Sequence, residues 1–256
     1  MLSRMMSAKS FPAPAPDRDA FVASMPSRYR ELFDDDAIDE HAAIVARRGD
    51  ASAHVELWRE LSYGGVAICV VADDRTGLLS LISAALVVHE LDVVAAQAYC
   101  RVARGVREAV DFFWLRRVAD DRAPIGARDI EGIGEVLSAL VEGSLSVDSV
   151  AKNARAIRAR APHAITRVRF ESGADDALAV LKVETFDRPG LLLAISQALF
   201  RQRIQIVWSE ARTRDGRVLD HFHLAEFDGG PVRKERRRRV QAEVLAAIES
   251  LARKDA

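Results

Sequence analysis

Asp74-Arg-Thr-Gly-Leu-Leu79 and Asp187-Arg-Pro-Gly-Leu-Leu192 are one phrase written twice, each closing a strand-like run and opening a helix-like one. Gly77 and Gly190 are 113 positions apart (190 − 77), and the flanks keep that register. Val55 and Leu57 answer to Val168 and Phe170, Ile82-Ser83 to Ile195-Ser196, and Ala85-Leu86 to Ala198-Leu199. An internal repeat fixes architecture before any single residue is read. It makes the chain two copies of one small α/β unit, with one polar turn presented twice.

Outward from the first turn, His54-Val-Glu-Leu-Trp-Arg59 alternates as a half-buried strand does, and Tyr63-Gly64-Gly65 supplies a turn. Val66-Ala-Ile-Cys-Val-Val-Ala72 is a continuous apolar run suited to a central strand. After the turn, Leu78, Leu81, Ile82, Ala85 and Leu86 mark a helix face. Strands near 93–102 and 107–117 and a helix near 127–142 complete the unit. The second copy predicts strands near 165–171, 178–186, 204–214 and 217–227, with helices near 189–202 and 231–253. Each unit reads β–β–α–β–β–α, an antiparallel sheet with both helices on one face: an α+β chain of two ferredoxin-like units. The chain ends on a helix, so the strand before each central strand is the available fourth strand, unless strands exchange between the repeats. The expected divisions are a flexible tail (1–18), a helical segment (19–50) capped by Asp34-Asp35-Asp36 and stopped at Gly49, a first unit (51–145), a connecting helix (146–162) closed by Pro162, and a second unit (163–256).

A formal net charge of −1 gives no reason to expect nucleic acid or an anionic membrane as a partner. Cys69 and Cys100 read as buried apolar residues of a reducing compartment, and the N-terminus is too polar for a signal peptide, so a cytoplasmic protein is expected.

The second repeat carries the fuller pattern: Asp187-Arg-Pro-Gly190, Gln205-Ile-Val207, Ala211-Arg-Thr-Arg-Asp-Gly216 and Leu219-Asp-His-Phe-His-Leu224. A strand, Asp-x-Pro-Gly-Leu-Leu, an apolar helix, then a strand opening on a polar-Ile/Val pair resembles the ACT domain. That family comprises ferredoxin-like regulatory modules that usually bind amino acids between two copies. Thr166-Arg-Val-Arg-Phe170 and Met25-Pro-Ser-Arg-Tyr29 are similar to segments flanking the tandem ACT region at the C-terminus of bacterial uridylyltransferases that modify the PII protein. The resemblance covers roughly residues 20–254. Those enzymes also carry a Gly-Ser…Asp-x-Asp nucleotidyltransferase site and a His-Asp hydrolase site. This sequence has no His-Asp, its Gly143-Ser144 has no Asp-x-Asp after it, and its length leaves no room for either domain. The expectation is a sensor without its engine, with no catalytic residues and no cofactor.

The turn suits a zwitterion. A helix start offers unpaired N–H groups to a carboxylate, glycine permits close approach, and Asp74 or Asp187 can accept from an ammonium group. Pro189 presets a first helical turn, and Thr185 can add a hydroxyl. In ACT domains a polar residue opening the next strand completes the site, by position Asp92 in repeat one and Gln205 in repeat two. The candidate set is therefore Thr185, Asp187, Arg188, Pro189, Gly190, Leu191 and Gln205, with Asp74, Gly77, Leu78 and Asp92 in the first copy. Thr76 in place of proline and the acid at Asp92 make the first copy the poorer one. An ordinary N-cap and scaffold turn also explain both phrases.

His221 and His223 share a strand face at chelating spacing without a third ligand, which favours an open sheet face over a metal. Asp111 and Asp220 match between the copies and are expected to satisfy backbone or arginine groups. Arg233-Lys-Glu-Arg-Arg-Arg-Arg239 opposes the dipole of its helix and hints at a partner or a solvated face. Trp58, Trp114 and Trp208 read as core or interface fillers. The expected protein is a regulatory homodimer binding a small amino acid, glutamine by resemblance, with a protein partner downstream and no nucleic acid or membrane. The alternatives are a ligand-free interaction module, or the detached sensor part of a uridylyltransferase-type enzyme.

Overall fold

In a computed structural model the described residues are 17–61, 64–103, 105–153, 165–171 and 178–253. Most of the proline-rich tail, Tyr63, the end of the connecting helix and Pro162 lie outside them. Three helices, α1 (Arg18–Ser24), α2 (Ser27–Leu32) and α3 (Asp35–Arg48), precede the first repeat. That repeat runs β1 (Ala53–Glu60), β2 (Val66–Asp73), α4 (Leu78–Val88), β3 (Leu91–Ala103), β4 (Val106–Arg117) and α5 (Ala127–Val141). After α6 (Val147–Asn153), the second repeats the order as β5 (Arg167–Phe170), β6 (Ala179–Phe186), α7 (Leu191–Arg201), β7 (Ile204–Arg214), β8 (Arg217–Glu226) and α8 (Lys234–Arg253).

All strands join one antiparallel sheet in the order β1-β2-β4-β3-β7-β8-β6-β5. Within each half this is ferredoxin-like topology, with β1 or β5 as the fourth strand beside the central β2 or β6; no exchange between repeats is needed. The halves meet where Ala95–Ala98 of β3 pair with Ser209–Arg212 of β7, and α4 packs on α7 above that seam. Ile68, Ile82 and Phe113 of one half and Leu181, Ile195 and Phe222 of the other belong to one buried cluster on the helix side of the sheet.

The two halves differ on the other face. Over the first, Phe21, Tyr29, Ile38 and Val45 of α1–α3 cover Cys69, Val71, Val110 and Phe112, with Trp58, Trp114 and Trp208 against them. At its centre the Tyr29 hydroxyl lies 2.6 Å from Nδ1 of His41, whose pKa burial depresses to about 3. This second layer explains why β2 is apolar from Val66 to Ala72: that run is buried on both faces, whereas β6 alternates buried and half-buried. α3 begins and stops as its residues require. Asp34 accepts from the Ala37 N–H at 2.9 Å, and Gly49 takes a positive φ of 55° just past the end. α1 and α2 fall within the helical segment expected over 19–50, in which the sequence delimited only the third helix.

Candidate functional site

Both repeated phrases fold as type II β-turns. Leu78 N–H donates to the Arg75 carbonyl at 3.2 Å and Leu191 N–H to that of Arg188 at 3.1 Å. Gly77 (φ 83°, ψ 4°) and Gly190 (φ 76°, ψ 8°) hold the left-handed position such a turn demands. Pro189 therefore sits at the favoured second position of the turn, not in the first turn of α7, which starts at Leu191. Neither helix has a side-chain cap, so Asp74 and Asp187 do not serve as ordinary N-caps.

The packing of α4 on α7 turns each phrase toward the other repeat. A cavity of about 40 Å³ is lined by Asp74, Gly77 and Leu78 of the first turn together with Phe200, Ile204 and Ile206 of the second repeat. Against the same turn lies a groove of about 470 Å³ that adds Thr76, Arg107 and Gln205. The second turn lines a cavity of about 30 Å³ in which Asp187, Gly190 and Leu191 meet Asp92 and Val93 of the first repeat. Each of the two small cavities has room for about two or three waters. Gln205 thus joins Asp74 rather than Asp187, and Asp92 joins Asp187 rather than Asp74. Position along one repeat pairs a turn with its own next strand; the quasi-twofold packing of the repeats pairs it with the other's.

The acids at the two turns have different partners. Arg107 Nη2 donates to Asp74 Oδ2 at 2.7 Å, and the Cys100 thiol lies 3.1 Å from the same oxygen. Burial, with Asp74 beside it, pushes that thiol up to about 12. The Arg107 side chain is 55% exposed and that of Asp74 only 11%, so this pair is open to solvent on the arginine side alone. Arg116 Nη2 instead reaches Asp92 Oδ2 and Asp187 Oδ2, both at 2.7 Å, and those carboxylates are only 7% and 8% exposed. Burial, then the Asp92 charge, raise Asp187 to about 6 despite the guanidinium.

Beneath each turn stands a matched acid. Asp111 accepts from the Tyr99 N–H at 3.1 Å and Asp220 from the Arg212 N–H at 3.3 Å, and burial lifts both to about 8. They satisfy backbone groups, as their positions suggested, and also line the first and second cavities respectively. A carboxyl so raised holds its proton to higher pH than an ordinary aspartate, and in that form it can donate a hydrogen bond.

Thr185 is not among the residues lining the second cavity. Its hydroxyl contacts that of Thr166 at 2.9 Å and lies 3.5 Å from the guanidinium of buried Arg188, which also donates to the Ile248 carbonyl of α8 at 3.4 Å. His223 packs on the Trp208 ring at 4.3 Å and His221 lies 3.8 Å from Glu171; among the described residues no group of three or more His, Cys, Asp or Glu could hold a metal. In the basic run, Arg236 bonds Glu226 and the Gln202 carbonyl, and Arg237 stacks on Phe170 at 5.5 Å, while Arg233, Lys234, Arg238 and Arg239 are exposed. Three residues escaped sequence reasoning: Arg107, Arg116 and Phe200, whose ring lies where a Cβ on Gly77 would fall. The signal for the arginines was charge at both ends of the apolar β4.

No protein-family model matches the chain. It is 25% identical over 241 residues to a bifunctional uridylyltransferase/uridylyl-removing enzyme of Caulobacter vibrioides, covering 91% of this chain and 25% of that protein. The corresponding enzyme of Gluconobacter oxydans is 29% identical over 232 residues, covering 85% of this chain and 23% of that protein. An aspartate kinase from Synechocystis superposes on 73% of this chain and 27% of its own with a TM-score of 0.39 and 13% identity, too low to support a fold assignment. No helix among the described residues is long and apolar enough to cross a membrane. The chain spans about a quarter of the length of the curated relatives it matches, and over nearly all of itself it resembles the C-terminal tandem-ACT region of bacterial uridylyltransferase/uridylyl-removing enzymes.

Proposed function

We propose that this is a non-catalytic regulatory module that binds a small amino acid between its two repeats, at the first turn. One observation carries the reading: each turn is completed by the strand start of the other repeat. A ligand there touches both halves, so its binding free energy acts on how they pack and can be read by a protein partner. At the first turn, Asp74 accepts from the ligand's ammonium group once Arg107 swings to solvent. With the Leu78 N–H given to the Arg75 carbonyl and that of Ser80 to Gly77, the Leu79 amide at the start of α4 is the one left for the carboxylate, and the dipole of the helix favours negative charge there. Asp111, held protonated, donates rather than repels, and Gln205 adds a neutral amide. Glutamine is the first candidate, by resemblance to the regulatory region of the relatives.

A thermal-shift screen of the twenty amino acids tests this. Ligand at about a hundred times its dissociation constant adds about 2.7 kcal/mol of stability, which is several degrees of melting temperature here. The expected result is a shift by one or a few amino acids that Asp74→Ala removes. No response to any of them would leave the ligand-free interaction module. That second reading has its own support, since both turn acids are already satisfied by internal arginines.

A further inference from the structure

We infer that Arg116 decides which turn takes a ligand: its guanidinium fills the second site as an internal substitute for a ligand's ammonium group, turning that site into a latch between the repeats and leaving one ligand site per chain. The inference deepens the amino-acid reading above and rests on it for the first site only.

The comparison is internal. Asp92 pairs with Arg116 across β3 and β4 at the place where Gln205 pairs with Ala225 across β7 and β8. At the second site one cation stands between two carboxylates, one from each repeat, at 2.7 Å from both. An incoming ammonium finds Asp187 already paired, and an incoming carboxylate faces Asp92. Removing the guanidinium would strand two buried like charges, so a ligand cannot displace it cheaply. The first site lacks the second obstacle and has the first in a weaker form, since Asp74 is also paired, but with a single arginine that no second carboxylate holds. Gln205 is neutral, Ala225 offers no cation, and Arg107 comes from the same repeat as Asp74 with over half of its side chain in solvent. Arg107 therefore closes nothing between the repeats, whereas Arg116 fastens one to the other. The space differs too: the second turn lines a cavity of about 30 Å³, with a groove of about 370 Å³ on the far side of Arg116 that the turn itself does not line, while the first turn lines one of about 40 Å³ and also the groove of about 470 Å³ against it.

The test exchanges the two pairs. Asp92→Gln with Arg116→Ala writes the first site's residues into the second, and Gln205→Asp with Ala225→Arg does the reverse. Binding stoichiometry is measured by titration calorimetry, using L-glutamine and then each other amino acid. The expected counts are one ligand per chain for the wild type, two for Asp92→Gln/Arg116→Ala, and none for Gln205→Asp/Ala225→Arg, whose melting temperature rises. Two ligands on the wild type, or still one on a cooperatively folded Asp92→Gln/Arg116→Ala, overturns the inference. None on the wild type but one on that variant upholds the latch and sinks the proposed first site. No binding to either protein overturns the latch as a displaced ligand site. Should Asp92→Gln/Arg116→Ala fail to fold, the reverse variant decides, since unchanged binding or an unchanged melting temperature there contradicts the inference.

Discussion

The turn at Asp74 and the turn at Asp187 share a phrase, a backbone and a matched buried acid, yet they sit in opposite electrostatic states. At Asp187 a guanidinium held by two buried carboxylates welds the repeats together; at Asp74 a half-solvated arginine pairs within its own repeat and the opposite wall is a neutral glutamine. Duplication thus supplied two equal frames, and the residues opposite each turn made them unequal. The turn that looks better in sequence, with its proline, is the one closed from within.

The largest expected effect separates the two arginines. Arg116→Ala leaves Asp92 and Asp187 facing each other and should cost about 3 kcal/mol, the low end for a broken buried pair because Arg116 is about a third exposed. Arg107→Ala should cost about 1 kcal/mol or less. Urea denaturation measures both, and equal losses would erase the contrast between the sites. Next comes pH. Asp111 and Asp220 have folded pKa values of about 8, raised above the unfolded value, so the folded chain keeps protons that the unfolded chain releases. Their contribution to stability therefore falls as pH rises from about 4 to about 8, by about 2 kcal/mol per group between pH 6 and 8, a window above the opposing titration of His41. Asp111→Asn or Asp220→Asn keeps the oxygen that accepts the backbone N–H and should flatten that slope by one group's share. An unchanged slope would mean the carboxyl is ionised in the fold.

Smaller effects probe the turns. Gly190→Ala pays only for its left-handed backbone, about 1–2 kcal/mol, since no atom lies within 4 Å of the added Cβ. Gly77→Ala pays the same and must also displace Phe200, 2.7 Å away, so it should melt lower than Gly190→Ala. Thr76→Pro supplies the proline that the second turn already has and should stabilise by about 0.4–1 kcal/mol. A loss instead would show that the Thr76 position departs from type II geometry.

The repeat, the strand order and even the substitute fourth strand were legible because each follows from local periodicity and chain direction. The continuous apolar run of β2 marked a central strand, but its burial on both faces and what covers it were not read: α1 and α2 are short, lack a periodic apolar stripe, and owe their place to Phe21 and Tyr29 entering an aromatic cluster. The cross-pairing of Gln205 with the first turn and Asp92 with the second was not legible. Nothing within one repeat says whether a turn is completed by its own strand or by the other copy's; the seam between β3 and β7 and the packing of α4 on α7 decide it. Asp92 looked like a defect in an amino-acid site only because its partners, Arg116 and Asp187, are distant in sequence.

The central claim is that the first turn is the amino-acid site and the second a latch. A crystal structure of the protein soaked with the amino acid giving the largest thermal shift tests it most directly. The account predicts density against Asp74, Gly77 and Gln205, Arg107 turned to solvent, and Arg116 still bridging Asp92 and Asp187. Density at Asp187 and Gly190 with the Arg116 bridge broken would contradict it.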